Sequence, residues 1–153
     1  MYSLSELEAA AERVHAVMPA TPQQHWPLLS ELVGCEVWAK HENHTPIGAF
    51  KVRGGINYVH GLLQRDPDVK EVVAASTGNH GQSVVYAARR AGLTATIVVP
   101  SGNNPEKTAS MRALGADAAR LRGAAGLAAV GGSAAAAGGD SGGAGAAADL
   151  AAI

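Results

Sequence analysis

The stretch Val69-Lys70-Glu71-Val72-Val73-Ala74-Ala75-Ser76-Thr77-Gly78-Asn79-His80-Gly81 changes character partway along its length. Its first half, Val69 to Ala75, is rich in β-branched residues and reads as a strand. The strand signal stops at Ser76-Thr77-Gly78, and Gln82 to Ala91 then carries helical spacing, with Gly92 as the stop. Strand, tight glycine turn and helix follow one another directly. Thr94 to Val99 repeats the strand signal and Pro100 ends it. Asn104-Pro105-Glu106 opens another helix, with a capping residue and proline at the first helical position, and Met111, Ala113 and Leu114 carry it to Gly115. Strands alternating with helices of this length predict parallel βαβ units and an α/β fold.

Upstream, Ser3 and Glu6 have capping-box spacing, and Leu4, Leu7, Ala11, Val14 and Val17 recur at helical intervals. A helix over 4–17 is predicted. Pro19, Pro22 and Pro27 disfavour regular helix, so this segment is expected to run extended until Leu28 and Leu29 dock. Val37-Trp38-Ala39-Lys40 reads as a short strand between Gly34 and the polar run His41-Glu42-Asn43-His44. From Ala49 to about Gln64 the pattern is helical again, with Phe50, Ile56, Val59, Leu62 and Leu63 apolar and Pro67 closing it. Lys51 falls in the first turn of that helix.

At 153 residues the chain is long enough for one domain with a core. A net charge of -1 with scattered basic residues leaves no electrostatic footprint for nucleic acid or an anionic membrane, and a small neutral or zwitterionic partner fits better. No run reaches the roughly 18 apolar residues of a membrane span. Cys35 is the single cysteine, so no intrachain disulfide can form, and a buried structural thiol is expected. These features predict a cytoplasmic protein. His41, Glu42 and His44 lack metal-site spacing and read as loop polarity, while Trp26 and Trp38 read as packing.

Residues 118–153 are a different kind of sequence, with 16 alanines, 9 glycines and no aromatic residue, lysine or proline. Little large apolar area is available there, and the glycines raise the entropy cost of order. The expectation is a division into a folded 1–117 and a low-complexity 118–153, the latter disordered or the product of an out-of-frame reading.

Two motifs carry chemistry. Lys51 follows the turn Thr45-Pro46-Ile47-Gly48 and sits beside the positive end of a helix dipole, a position from which an amine can attack an aldehyde. Ser76-Thr77-Gly78-Asn79-His80-Gly81, between strand and helix, aims backbone N–H groups at one point and suits an anion, either phosphate or carboxylate. No Gly-Lys-Ser/Thr and no Gly-x-Gly-x-x-Gly accompanies it, which argues against a nucleotide loop.

In this order, about 25 residues apart, the two motifs resemble those of the fold type II pyridoxal-phosphate enzymes, in particular the serine/threonine dehydratase branch. The resemblance covers residues 1 to about 117 and rests most on Ala49-Phe50-Lys51-Val52-Arg53-Gly54. It implies the tryptophan synthase beta-like fold, pyridoxal 5'-phosphate as cofactor and Lys51 as the residue that carries it. It further implies that Phe50 lies against the cofactor ring and that Asn79 hydrogen-bonds the ring hydroxyl. Ser76, Thr77, Gly78 and His80 would hold the substrate carboxylate. The implied activity is β-elimination on a small hydroxy amino acid, releasing a 2-oxo acid and ammonia, with a homo-oligomer expected for a full-length chain. Serine racemase and hydroxyaspartate dehydratase share nearly the same motifs, and a truncated, inactive dehydratase is the non-enzymatic alternative. The family's glycine-rich phosphate loop and its serine or threonine at the ring nitrogen have no match here; Gly131-Gly132 and Gly142-Gly143 lack the strand-loop-helix context.

Overall fold

The structure, a computed structural model, describes residues 2–116; the alanine- and glycine-rich 118–153 lies outside them. Helix α1 (Leu4–His15) starts at a complete capping box, in which the Ser3 side chain accepts from the Glu6 N–H and the Glu6 carboxylate accepts from the Ser3 N–H. A short antiparallel pair follows, β1 (Gln23–His25) with β2 (Trp38–Lys40), in the register Gln24 opposite Ala39. Between them lies α2 (Pro27–Val33), which the run of prolines had not led one to expect. Pro27 occupies the first helical turn, where its missing N–H costs no hydrogen bond, and Gly34 ends the helix at φ 76°. Nor do the leucines dock as anticipated: Leu28 is 81% exposed, and no residue of α2 is buried. Cys35, next to the Gly34 cap, is exposed too, against the expectation of a buried thiol.

After a single 3-10 turn (Glu42–His44), α3 (Lys51–Arg65) leads to β3 (Glu71–Ala75), α4 (Asn79–Arg90), β4 (Thr94–Val98) and α5 (Pro105–Ala113). β3 and β4 pair in parallel, Glu71 opposite Thr94 through Ala75 opposite Val98, with α4 as the crossover. The α/β reading is therefore the observed one, with one parallel βαβ unit among the described residues. α4 packs against both strands and against α3 and α5. One core lies around it, with Val72, Val85, Ile97 and Met111 buried. A second joins α1 to the start of α3 through Val14, Met18, Ile47 and Val52. Among the described residues no helix is long and apolar enough to cross a membrane.

Candidate functional site

Lys51 is delivered by a turn closed from both sides. The Gly48 N–H donates to the Thr45 carbonyl at 2.9 Å, with Gly48 at φ 66°, a left-handed conformation that suits glycine. The buried Thr45 hydroxyl accepts from the Ala49 N–H and donates to the Ala49 carbonyl, each at 2.8 Å. Ile47, Ala49 and Val52 are buried on the second core, while Phe50 between them is 58% exposed. The alternation turns Phe50 away from the core, and the Lys51 ammonium lies 5.3 Å from its ring centroid, within cation–π reach.

The second motif begins where β3 ends. The Ser76 N–H donates to the Val98 carbonyl at 3.1 Å, extending the parallel ladder. The Ser76 hydroxyl accepts from the Gly81 N–H at 2.8 Å and from the Gly78 N–H at 3.3 Å, so it braces the loop from within. The N–H groups of Thr77, Asn79 and His80 have no hydrogen-bond partner among the described residues. They stand at the N-terminus of α4, which starts at Asn79 and thus three residues before the helical spacing of the sequence began. Free donors at the positive end of a 12-residue helix suit an anion. A Cβ placed at Gly78 would meet nothing within 4 Å, leaving the backbone there open to close approach.

Packing of α3 on α4 brings the two motifs together. The Ser83 hydroxyl of α4 donates to the Lys51 carbonyl at 2.6 Å. Gly55 allows this contact: a Cβ there would collide with the Ser83 hydroxyl and stand 2.8 Å from its carbonyl oxygen. Phe50, Lys51, Tyr58, His80 and Val84 line a shared cavity of about 120 Å³. Burial, and then the positive charge of Lys51, push the His80 pKa below its ordinary value of 6.5. His80 is accordingly a neutral imidazole at neutral pH.

Of the residues singled out in the sequence, Lys51, Phe50 and His80 share the cavity, and Thr77, Gly78, Asn79 and His80 form the open mouth of α4. Ser76 is turned inward. The Asn79 side-chain oxygen accepts from Lys107 of α5 at 3.1 Å, an interaction with no signal in the motif. Ser83, Gly55 and Tyr58 were not foreseen, because small residues on a helix face look alike whether or not another helix crosses there. The Arg53 guanidinium was also missed as a partner. It grips Glu42 through Nε–Oε2 at 2.8 Å and Nη2–Oε1 at 3.0 Å. The Thr21 hydroxyl joins by donating to Glu42 at 2.6 Å. Glu42 is thereby a structural partner of the lysine helix, and among the described residues no three His, Cys, Asp or Glu side chains are grouped to hold a metal ion.

The donor set fits an aldehyde cofactor that carries an anionic partner. A lysine stands on a cavity wall beside an aromatic ring and shares that cavity with His80, and the loop that ends at His80 carries an open glycine and N–H groups without partners among the described residues. Comparison with known proteins bears directly on this. The family described as pyridoxal-phosphate dependent enzyme matches residues 16–150, so the match runs past the point near 117 where the motifs end. The chain is 39% identical to tomato (Solanum lycopersicum) threonine dehydratase 1 over 106 residues, 69% of this chain and 17% of that protein. It is 34% identical to bovine (Bos taurus) serine racemase over 116 residues, 74% of this chain and 35% of that protein. The crystal structure of a pyridoxal 5'-phosphate-dependent aspartate racemase superposes with a TM-score of 0.70 at 32% identity, covering 75% of this chain and 36% of that one. The chain thus spans about a third or less of the proteins it matches. With the lysine turn, the α4 loop and the parallel sheet in agreement with that match, the chain belongs to the pyridoxal-phosphate dependent enzyme family.

Proposed function

We propose that the site serves β-elimination on a small hydroxy amino acid, threonine or serine, yielding a 2-oxo acid and ammonia. The observation that carries this reading is the shared cavity, which sets Lys51 and Phe50 against His80 at the mouth of α4. Bound at Lys51, pyridoxal phosphate supplies a sink for the electrons left when the α-proton of an amino acid departs. The remaining tasks belong to the chain. Lys51 Nζ takes the α-proton. The free N–H groups of Thr77, Asn79 and His80 receive the substrate carboxylate, with the α4 dipole adding to their pull. Neutral His80 adds a donor without a second cation beside Lys51. Phe50 gives the flat cofactor an apolar face, and the Asn79 amide lies next to the same loop to meet the ring hydroxyl. Residues 1–117 constitute the cofactor-lysine half of the site in this reading, with 118–153 a separate low-complexity segment.

Similarity to tomato threonine dehydratase supports the elimination, and similarity to bovine serine racemase and to the aspartate racemase structure favours racemisation as a second reading. Product analysis separates them. The purified chain with pyridoxal phosphate and L-threonine or L-serine is expected to release 2-oxo acid and ammonia in equal amounts. Accumulation of the D-amino acid without 2-oxo acid would favour racemisation, and neither product would leave the chain a catalytically inactive dehydratase relative.

A further inference from the structure

We infer that Glu42 and Arg53 are positioning residues for Lys51, forming a clamp that orients the first turn of α3 toward the cofactor. The inference rests on the reading of Lys51 as the cofactor lysine. It starts from a local conflict in the sequence. Lys51 and Arg53 place two cations in the first turn of α3, at the positive end of its dipole, and no acidic residue occupies that turn. Nor does a side chain cap the helix: the Phe50 side chain at the N-cap offers no hydrogen bond, whereas Ser3 caps α1 and Asn104 caps α5. A first turn with adverse charge and no cap is prone to fray. A mobile Lys51 would be the direct result.

Glu42 supplies the missing negative charge from outside the helix. Its carboxylate receives both arms of the Arg53 fork, at 2.8 and 3.0 Å, a bidentate geometry open to arginine and not to lysine. The side chains are only 27% and 21% exposed, and a third chain segment reinforces them. The hydroxyl of buried Thr21 donates to Glu42, and Lys40 donates to the Thr21 carbonyl at 3.3 Å. Successive helical residues are about 100° apart around the axis. Holding Arg53 therefore fixes the azimuth of Lys51, two residues earlier. The clamp also closes the chain from Glu42 to Arg53 into a loop, inside which the Thr45 hydroxyl latches Ala49. Ends and middle of the segment that presents Lys51 are thus both held, before any cofactor is bound.

The test uses pyridoxal phosphate followed by borohydride, which fixes the cofactor on whichever amine it has reached, with peptide mapping of each lysine. Lys70, exposed and at the end of β3 away from Ser76, is the internal reference. In the wild-type chain Lys51 is expected to label well ahead of Lys70. In Glu42→Gln or Arg53→Gln, measured where circular dichroism shows a folded chain, the Lys51-to-Lys70 ratio should fall about tenfold, the scale of a modest misplacement of a reacting group. Amide exchange at Val52 and Arg53 without cofactor should rise in the same variants. The reciprocal Glu42→Arg/Arg53→Glu chain should regain part of the ratio. Should single variants unfold, Glu42→Asp keeps the charge one methylene further back, and an intermediate ratio is expected. Wild-type ratios in folded single variants would overturn the clamp alone. Equal labelling of Lys51 and Lys70 in the wild type would overturn the reading of Lys51 itself.

Discussion

His80 faces the same cavity as Lys51, and its imidazole is held neutral by burial and by the charge of that lysine. Removing the charge has a direct readout. In Lys51→Gln the His80 pKa, followed by NMR titration of the imidazole, is expected to rise toward 6.5 without reaching it, because burial, the larger cause, remains. With a folded-state pKa below the unfolded one, the unfolded chain binds the proton more readily. Stability is therefore lost as pH falls below the unfolded value of 6.5 toward the folded one, and Lys51→Gln should lose less over that window. At this scale Lys51, Phe50 and His80 were legible in the sequence because each sits in a contiguous motif. Glu42, Thr21 and Ser83 were not, since their partners lie 11 to 32 residues away and nothing local marks them. Cys35 was misread because a free thiol is usually a small buried apolar group, whereas here it follows the exposed α2 cap.

Among the elements, the crossing of α3 and α4 decides whether a site exists, because each helix carries one motif at its N-terminus. Gly55 sets how close the two approach. Gly55→Ala would drive a methyl group into Ser83, side chain and backbone alike, and is expected to cost about 1–3 kcal/mol in chemical unfolding, despite alanine's better helix propensity. A neutral or stabilising result would show the helices free to separate. The strands and helices themselves were readable from periodicity, and β3, α4 and β4 lie within a few residues of their expected bounds. α2 was not. Three prolines signalled extended chain, yet the last of them serves as a helix start, a distinction that depends on what precedes it in space rather than on the proline.

At the scale of the whole molecule, the described residues leave several large apolar side chains exposed. Leu28 and Leu32, each 81% exposed, lie one turn apart on α2, and Trp38 is 56% exposed on β2. Exposed apolar side chains of this kind favour association, in line with the homo-oligomer expected of a full-length chain. Leu28→Lys with Leu32→Lys should shift sedimentation of the chain toward monomer, and no shift would place the contact elsewhere. The fold class was legible because the strand-helix-strand run from Glu71 to Val98 carries its own periodicity, but the meeting of the two motifs required the packed helices. The chemistry of the site turns on Lys51. Pyridoxal phosphate titrated into the wild-type chain is expected to give a saturable visible absorbance band, with borohydride fixing the cofactor on Lys51, and Lys51→Ala should give neither. A band of equal intensity in Lys51→Ala, with label on another lysine, would contradict it.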